Sequence, residues 1–212
     1  MDEPLRVAAL LCARLCHDLS GPLGALIGVI DIAREEQPAS ETIAFAEETV
    51  GELTQRLRLL RAAWGYDGED LDVARLRILT DGLSQSRRVR VDLSGLQPDS
   101  VFPQPAARVM LNLVLLAAES LPGGGTAALS GSPASGVVVT IAGPRAAWPE
   151  GLGLSLTDDA AACEALLADP RRLQAPLTVL LARRAGLRLS VLMPPAGRVG
   201  EADAAPPLLL SP

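Results

Sequence analysis

An apolar residue returns at alternating spacings of three and four from Leu5 to Ala33, by way of Ala8, Cys12, Leu15, Leu19, Pro22, Leu26 and Val29. That period is the seam of an amphipathic helix. Ala9, Cys16, Leu23 and Ile30 make a second row beside it, so the stripe is wide enough to touch more than one neighbour. A helix of this span is roughly 45 Å long, which suits a bundle better than a globule. Gln37-Pro38-Ala39 stops it, and Ser40 is a suitable N-cap for the next helix. The second helix repeats the pattern at Ile43, Ala46, Val50, Leu53, Leu57, Leu60 and Trp64, and ends at Gly65. Two such helices with a short connection form an antiparallel hairpin. A lone hairpin leaves half of its stripe wet, so two hairpins are expected to pair as a four-helix bundle across a homodimer.

Composition removes several classes of function. The net charge is −6 and aromatic residues are 2%, which argues against a nucleic-acid or anionic-membrane surface. All 19 basic residues are arginine. Without lysine there is no Walker P-loop, no Schiff-base chemistry and no protein-kinase ATP site. Cys12, Cys16 and Cys163 are an odd count with no disulfide framework, and Cys12 and Cys16 are expected to pack rather than react. Neither a secretory signal nor a run of about 18 apolar residues is read at the N-terminus. The expectation is a soluble, cytoplasmic protein.

Texture changes after the Gly/Asp-rich stretch that follows Gly65. Residues 72–86, 105–121, 158–168 and 171–185 read as helices; 89–93, 126–129, 136–142 and 187–193 read as strands; and 97–103 reads as a loop. Interleaving of this kind implies an α+β fold with one layer pair. The expected division is a hairpin domain over 1–66, an α+β domain over 67–194, and a loose Pro/Ala-rich tail over 195–212.

His17 is the chain's one histidine and falls opposite the hydrophobic seam, where it should face solvent. Gly21, Gly24 and Gly28 follow on the same face at spacings of four, three and four. Each costs about 1 kcal/mol in a helix relative to alanine. A bald strip that lets another backbone approach the imidazole would offset that cost; the bland alternative is a kink shared with Pro22. Asp18 could orient the ring, and Arg14, one turn earlier, could meet a phosphoryl group. Both could equally be solvated charges.

The string His17-Asp18-Leu19-Ser20-Gly21-Pro22-Leu23 resembles the H-box of two-component histidine kinases, in which a phosphoacceptor histidine precedes an acidic residue and a Pro-Leu pair. The second half resembles a worn copy of the kinase ATPase domain, a Bergerat-type α/β sandwich. Leu111-Asn112-Leu113-Val114-Leu115-Leu116-Ala117 is similar to the N-box helix, but Leu116 stands where the pattern needs a second, Mg²⁺-holding asparagine. Asn112 and Leu116 thus mark a degenerate nucleotide site. The strand ending Ile141-Ala142-Gly143-Pro144-Arg145 lacks the adenine-reading aspartate, and Arg171-Arg172 replaces the phosphate-contacting glycines. Gly151-Leu152-Gly153-Leu154 imitates that glycine motif too early and is read as a loop.

A kinase-like hairpin joined to such a domain resembles the ChpT family of histidine phosphotransferases, including at Leu15-Cys16-His17-Asp18, Arg61-Ala62-Ala63-Trp64-Gly65 and Leu187-Arg188-Leu189-Ser190-Val191. The resemblance implies a homodimer that passes phosphoryl groups between receiver-domain aspartates of a hybrid kinase and of CtrA-type regulators. His17 would be the phosphoacceptor, and receivers would dock over Ser20, Gly21, Gly24 and Gly28. No cofactor or metal is expected on the chain itself; Mg²⁺ would arrive with the receiver. The alternatives are a dimeric scaffold that binds receivers without transfer, and an active ATP-dependent kinase. Cys12-x-x-x-Cys16-His17 is one residue too long for haem attachment.

Overall fold

The computed structural model describes residues 3–35, 40–65, 68–86, 88–193 and 204–212. Helix α1 (Glu3–Glu35) and helix α2 (Ser40–Trp64) form the expected hairpin. The Gln37–Ala39 stop lies outside the described residues. At the end of α2, the Gly65 N–H donates to the Arg61 carbonyl at 2.8 Å. A Cβ at that position would run into the same carbonyl, so only glycine ends the helix this way.

The remaining elements are β1 (Leu71–Asp72), α3 (Val73–Ser86), β2 (Val89–Leu96), β3 (Val101–Phe102), α4 (Gln104–Glu119), β4 (Gly125–Ser132), β5 (Gly136–Ala142), α5 (Leu152–Thr157), α6 (Asp159–Ala168), α7 (Gln174–Arg184), β6 (Arg188–Val191) and β7 (Leu208–Ser211). Five strands form a sheet in the order β2-β4-β5-β7-β6, with β2 parallel to β4 and the other pairs antiparallel. Helix α4 is the axis of the core: every residue from Val109 to Ala118 is buried. Pro103 and Pro105 open it, where a missing N–H costs nothing. This is the α+β architecture expected from the sequence.

Three local readings need correction. The stretch 97–103 contains β3, which pairs with β1 in a small ribbon. Gly151-Leu152-Gly153-Leu154 is not a loop: it opens α5, whose Leu152 is buried in the core. The tail is not loose at its end. Residues 204–212 return to the sheet, and β7 lies between β5 and β6, with Leu208 and Leu210 buried. Trp148 Nε1–H donates to the Pro206 carbonyl at 2.7 Å and holds the approach. The strand read at 187–193 is therefore an edge that needs β7 to join the sheet. Composition hid this, because alanine and proline dominate the tail while three leucines carry the strand. The rest of the tail, 195–203, lies outside the described residues.

The hairpin is fastened to the domain at one end. Val7, Leu10 and Leu11 of α1, with Trp64, pack on Leu166, Leu173 and Leu177. Leu59, Leu60 and Ala63 of α2 enter the main core. In this end of α1 the buried row is one step around from the expected seam, since Leu5, Ala8 and Cys12 are exposed. From Leu15 onward the expected seam faces α2. The second row of α1, Leu23 and Ile30, remains exposed, and so do Ile43, Val50 and Leu57 of the seam expected on α2. Cys12 and Cys16, expected to pack, are exposed free thiols in the single chain. By length and composition Leu5–Ala33 could also cross a membrane, contrary to the sequence reading. Its charges are instead engaged by the folded domain, as the site shows.

Candidate phosphotransfer site

His17 projects from the middle of α1 with its side chain 66% exposed. Its Nδ1 lies 3.4 Å from Oδ1 of Asp18. Asp18 is only 7% exposed, because it sits between two guanidiniums. Arg56 Nη2 donates to Oδ2 at 2.7 Å, and Arg14 Nε donates to Oδ1 at 3.2 Å. Burial alone would push the Asp18 pKa up, but the hydrogen bond and charge of Arg56, reinforced by Arg14, bring it below the usual carboxylate range. The carboxylate is thus ionised and fixed at neutral pH. In the tautomer that donates Nδ1–H to this carboxylate, the imidazole keeps its lone pair on Nε2.

Arg14 does not reach toward solvent as the sequence reading allowed. It is buried, and its guanidinium is spent inside the protein: Nη2 donates to Glu119 Oε1 at 2.5 Å and Nη1 to the Arg171 carbonyl at 3.0 Å. Burial lowers its pKa, yet Glu119 and Asp18 outweigh that and raise it. Its function here is to tie the helix bearing His17 to the end of α4 and the turn before α7. Arg56 and Glu119 were missing from the sequence reading. A signal existed for Arg56, which occupies the α1-facing row between Leu53 and Leu60, where an arginine requires an anionic partner across the hairpin.

Below His17, Gly21, Gly24 and Gly28 border open space: a Cβ at any of them would meet nothing within 4 Å. None of them is required by packing inside the chain. Ser20 is exposed, but its hydroxyl donates to the Cys16 carbonyl at 2.7 Å. Among the described residues, no group of three His, Cys, Asp or Glu side chains could hold a metal ion.

Asn112 is completely buried and uses its whole amide internally. Its Oδ1 accepts from Trp64 Nε1 at 3.1 Å and Gln174 Nε2 at 3.0 Å. Its Nδ2 donates to the carbonyls of Ala63 at 3.0 Å and Arg108 at 2.8 Å. The residue therefore joins α2, α4 and α7 as a strut. Leu116 is fully buried one turn on. Beside Arg14 and Glu119 a recess of about 400 Å³ is lined by Arg145, Arg171 and Arg172. It is basic, in a chain of net charge −6.

Comparison with known proteins identifies the family. Residues 73–197, well over half of the chain, match the family model described as the histidine phosphotransferase C-terminal domain. The chain belongs to the histidine phosphotransferase family. Protein phosphotransferase ChpT of Brucella abortus (strain 2308) is 26% identical to it over 193 residues, covering 88% of this chain and 90% of the relative. A solved structure titled as that of a bacterial phosphotransferase superposes with a TM-score of 0.77 at 22% identity, covering 98% of this chain and 96% of the other. The Acinetobacter baumannii histidine kinase AdeS gives a TM-score of 0.45 at 12% identity. This phosphotransferase is ChpT-like, as the resemblance implied.

Proposed function

We propose that this phosphotransferase carries phosphoryl groups between receiver-domain aspartates on Nε2 of His17, and that it does so without ATP. The observation carrying the proposal is an exposed imidazole whose other nitrogen rests on a carboxylate clamped by Arg56 and Arg14. The Nε2 lone pair attacks the phosphorus of an aspartyl phosphate in line. A P–N bond forms, the P–O bond to the aspartate breaks, and the carboxylate leaves. The second receiver reverses the exchange. Because Asp18 neutralises the imidazolium that forms, the protein's contribution is positioning and charge balance. No step is assigned to a metal on this chain; Mg²⁺ is expected to come with the receiver.

The internal commitment of Asn112 and the burial of Leu116 support the reading that nucleotide is not bound. The exposed apolar rows of the hairpin, together with a groove formed by Leu11, Cys12, Leu15, Leu57, Leu60 and Trp64, support a homodimeric four-helix bundle. Sedimentation should therefore give a dimer, and Val50→Glu with Leu57→Glu should give a folded monomer. A wild-type monomer at micromolar concentration would refute the bundle. We further propose a cytoplasmic location and receivers of the CtrA type, as the resemblance implies.

The glycine strip is the proposed receiver-docking face. Gly24→Leu places its side chain in open space, so the fold should be unaffected while the transfer rate from a phosphorylated receiver drops about 10-fold or more by blocked approach. A Gly24→Leu rate equal to wild type would remove the docking role. The proposal as a whole is tested by incubating the protein with an aspartyl-phosphorylated receiver domain. Acid-labile label should appear on wild type and not on His17→Gln.

A further inference from the structure

On the face of α2 turned away from α1, a cavity of about 700 Å³ lies where the hairpin meets the domain, enclosed by α2, α3, α4 and the segment 68–71. Arg58, Arg61, Arg75 and Arg108 line it, against one lining carboxylate, Glu69. Arg58 and Arg61 form no ion pair among the described residues. Glu69 meets Arg75 at 3.4 Å, while the nearby carboxylates of Asp70 and Asp72 accept the backbone N–H groups of Gln104 and Arg75. Arg108 is held in place by the carbonyls of Ala63 and Trp64. In a protein of net charge −6, the arginines around this cavity outnumber its lining carboxylates four to one.

The floor is apolar, formed by Leu71, Leu79, Ala107 and Leu111. Gln55 also lines the cavity. The volume falls in the range of small-molecule sites, and forked guanidiniums favour phosphate oxygens.

We infer that this cavity binds a phosphate-bearing small molecule, its phosphate among the arginines and its organic part on the apolar floor. The site shares no lining residue with the basic recess beside Arg14. It is independent of the phosphotransfer reading, so His17→Ala should bind the ligand as wild type does.

Calorimetric titration of the full chain with GMP and with inorganic pyrophosphate tests the inference. Wild type is expected to bind both. Arg58→Ala with Arg61→Ala, both exposed positions that leave the core untouched, should weaken both probes by about 10-fold or more. Arg171→Ala with Arg172→Ala should alter neither. No binding of either probe at millimolar concentration would overturn the inference. So would binding unaffected by the Arg58 and Arg61 changes, or binding lost instead through Arg171 and Arg172.

Discussion

Asn112→Ala is expected to lower stability by about 3–5 kcal/mol, by orphaning two buried donors and leaving a cavity. The donors are Trp64 Nε1 and Gln174 Nε2, which both end on Asn112 Oδ1. The carbonyls of Ala63 and Arg108 lose their side-chain donor in the same change. Asn112→Asp should be as damaging, because a carboxylate oxygen would then face those two carbonyls. That pair of variants separates the two roles the residue could play. An asparagine retained for a metal would tolerate aspartate, whereas a strut between α2, α4 and α7 would not. Denaturation curves for the two variants decide it; an aspartate variant as stable as wild type would contradict the strut.

Asp18→Ala is expected to reduce phosphotransfer by about 10–100-fold, through loss of the group that holds the imidazole proton. It should also cost about 2–4 kcal/mol of stability, since two largely buried guanidiniums lose the carboxylate between them. Arg14 and Arg56 are only 10% and 11% exposed at their side chains, so solvent offers them little compensation. Asp18→Asn keeps an acceptor for Nδ1–H but not the charge. It should recover part of the rate and little of the stability. The pH dependence has a definite sign. A carboxylate with a lowered pKa stabilises the fold above its ordinary pKa and loses that contribution only as pH falls through the lowered value. The stability gap between wild type and Asp18→Asn should therefore be constant from about pH 8 to pH 5 and close only as pH falls below the ordinary aspartate value of about 3.9. A gap that closes near neutrality would show that the clamp is not what holds Asp18.

Much of this protein was legible in its sequence because helical period is a strong signal. The hairpin, the exposed imidazole and the bald glycine strip all follow from spacing along α1. What escaped were interactions between elements distant in sequence. Arg14 resembled a surface charge because its partners, Glu119 and the Arg171 carbonyl, lie more than a hundred residues away and are brought near only by the fold. Arg56 was missed for the same reason. The strand β7 was missed for a different one: a Pro/Ala background concealed three leucines that complete the sheet between β5 and β6. Asn112 was correctly singled out as the remnant of a nucleotide motif, but its partners Trp64 and Gln174 could not be read from the motif.

The most direct test of the central claim is a two-receiver relay run in ATP-free buffer. A receiver labelled on its aspartate is mixed with this phosphotransferase and a second, unlabelled receiver, beside a His17→Ala control and a parallel sample given labelled ATP alone. The account predicts that label crosses to the second receiver only with wild type, that it passes through an acid-labile species on the protein, and that ATP alone labels nothing. Label crossing equally well with His17→Ala, or self-labelling from ATP, would contradict it.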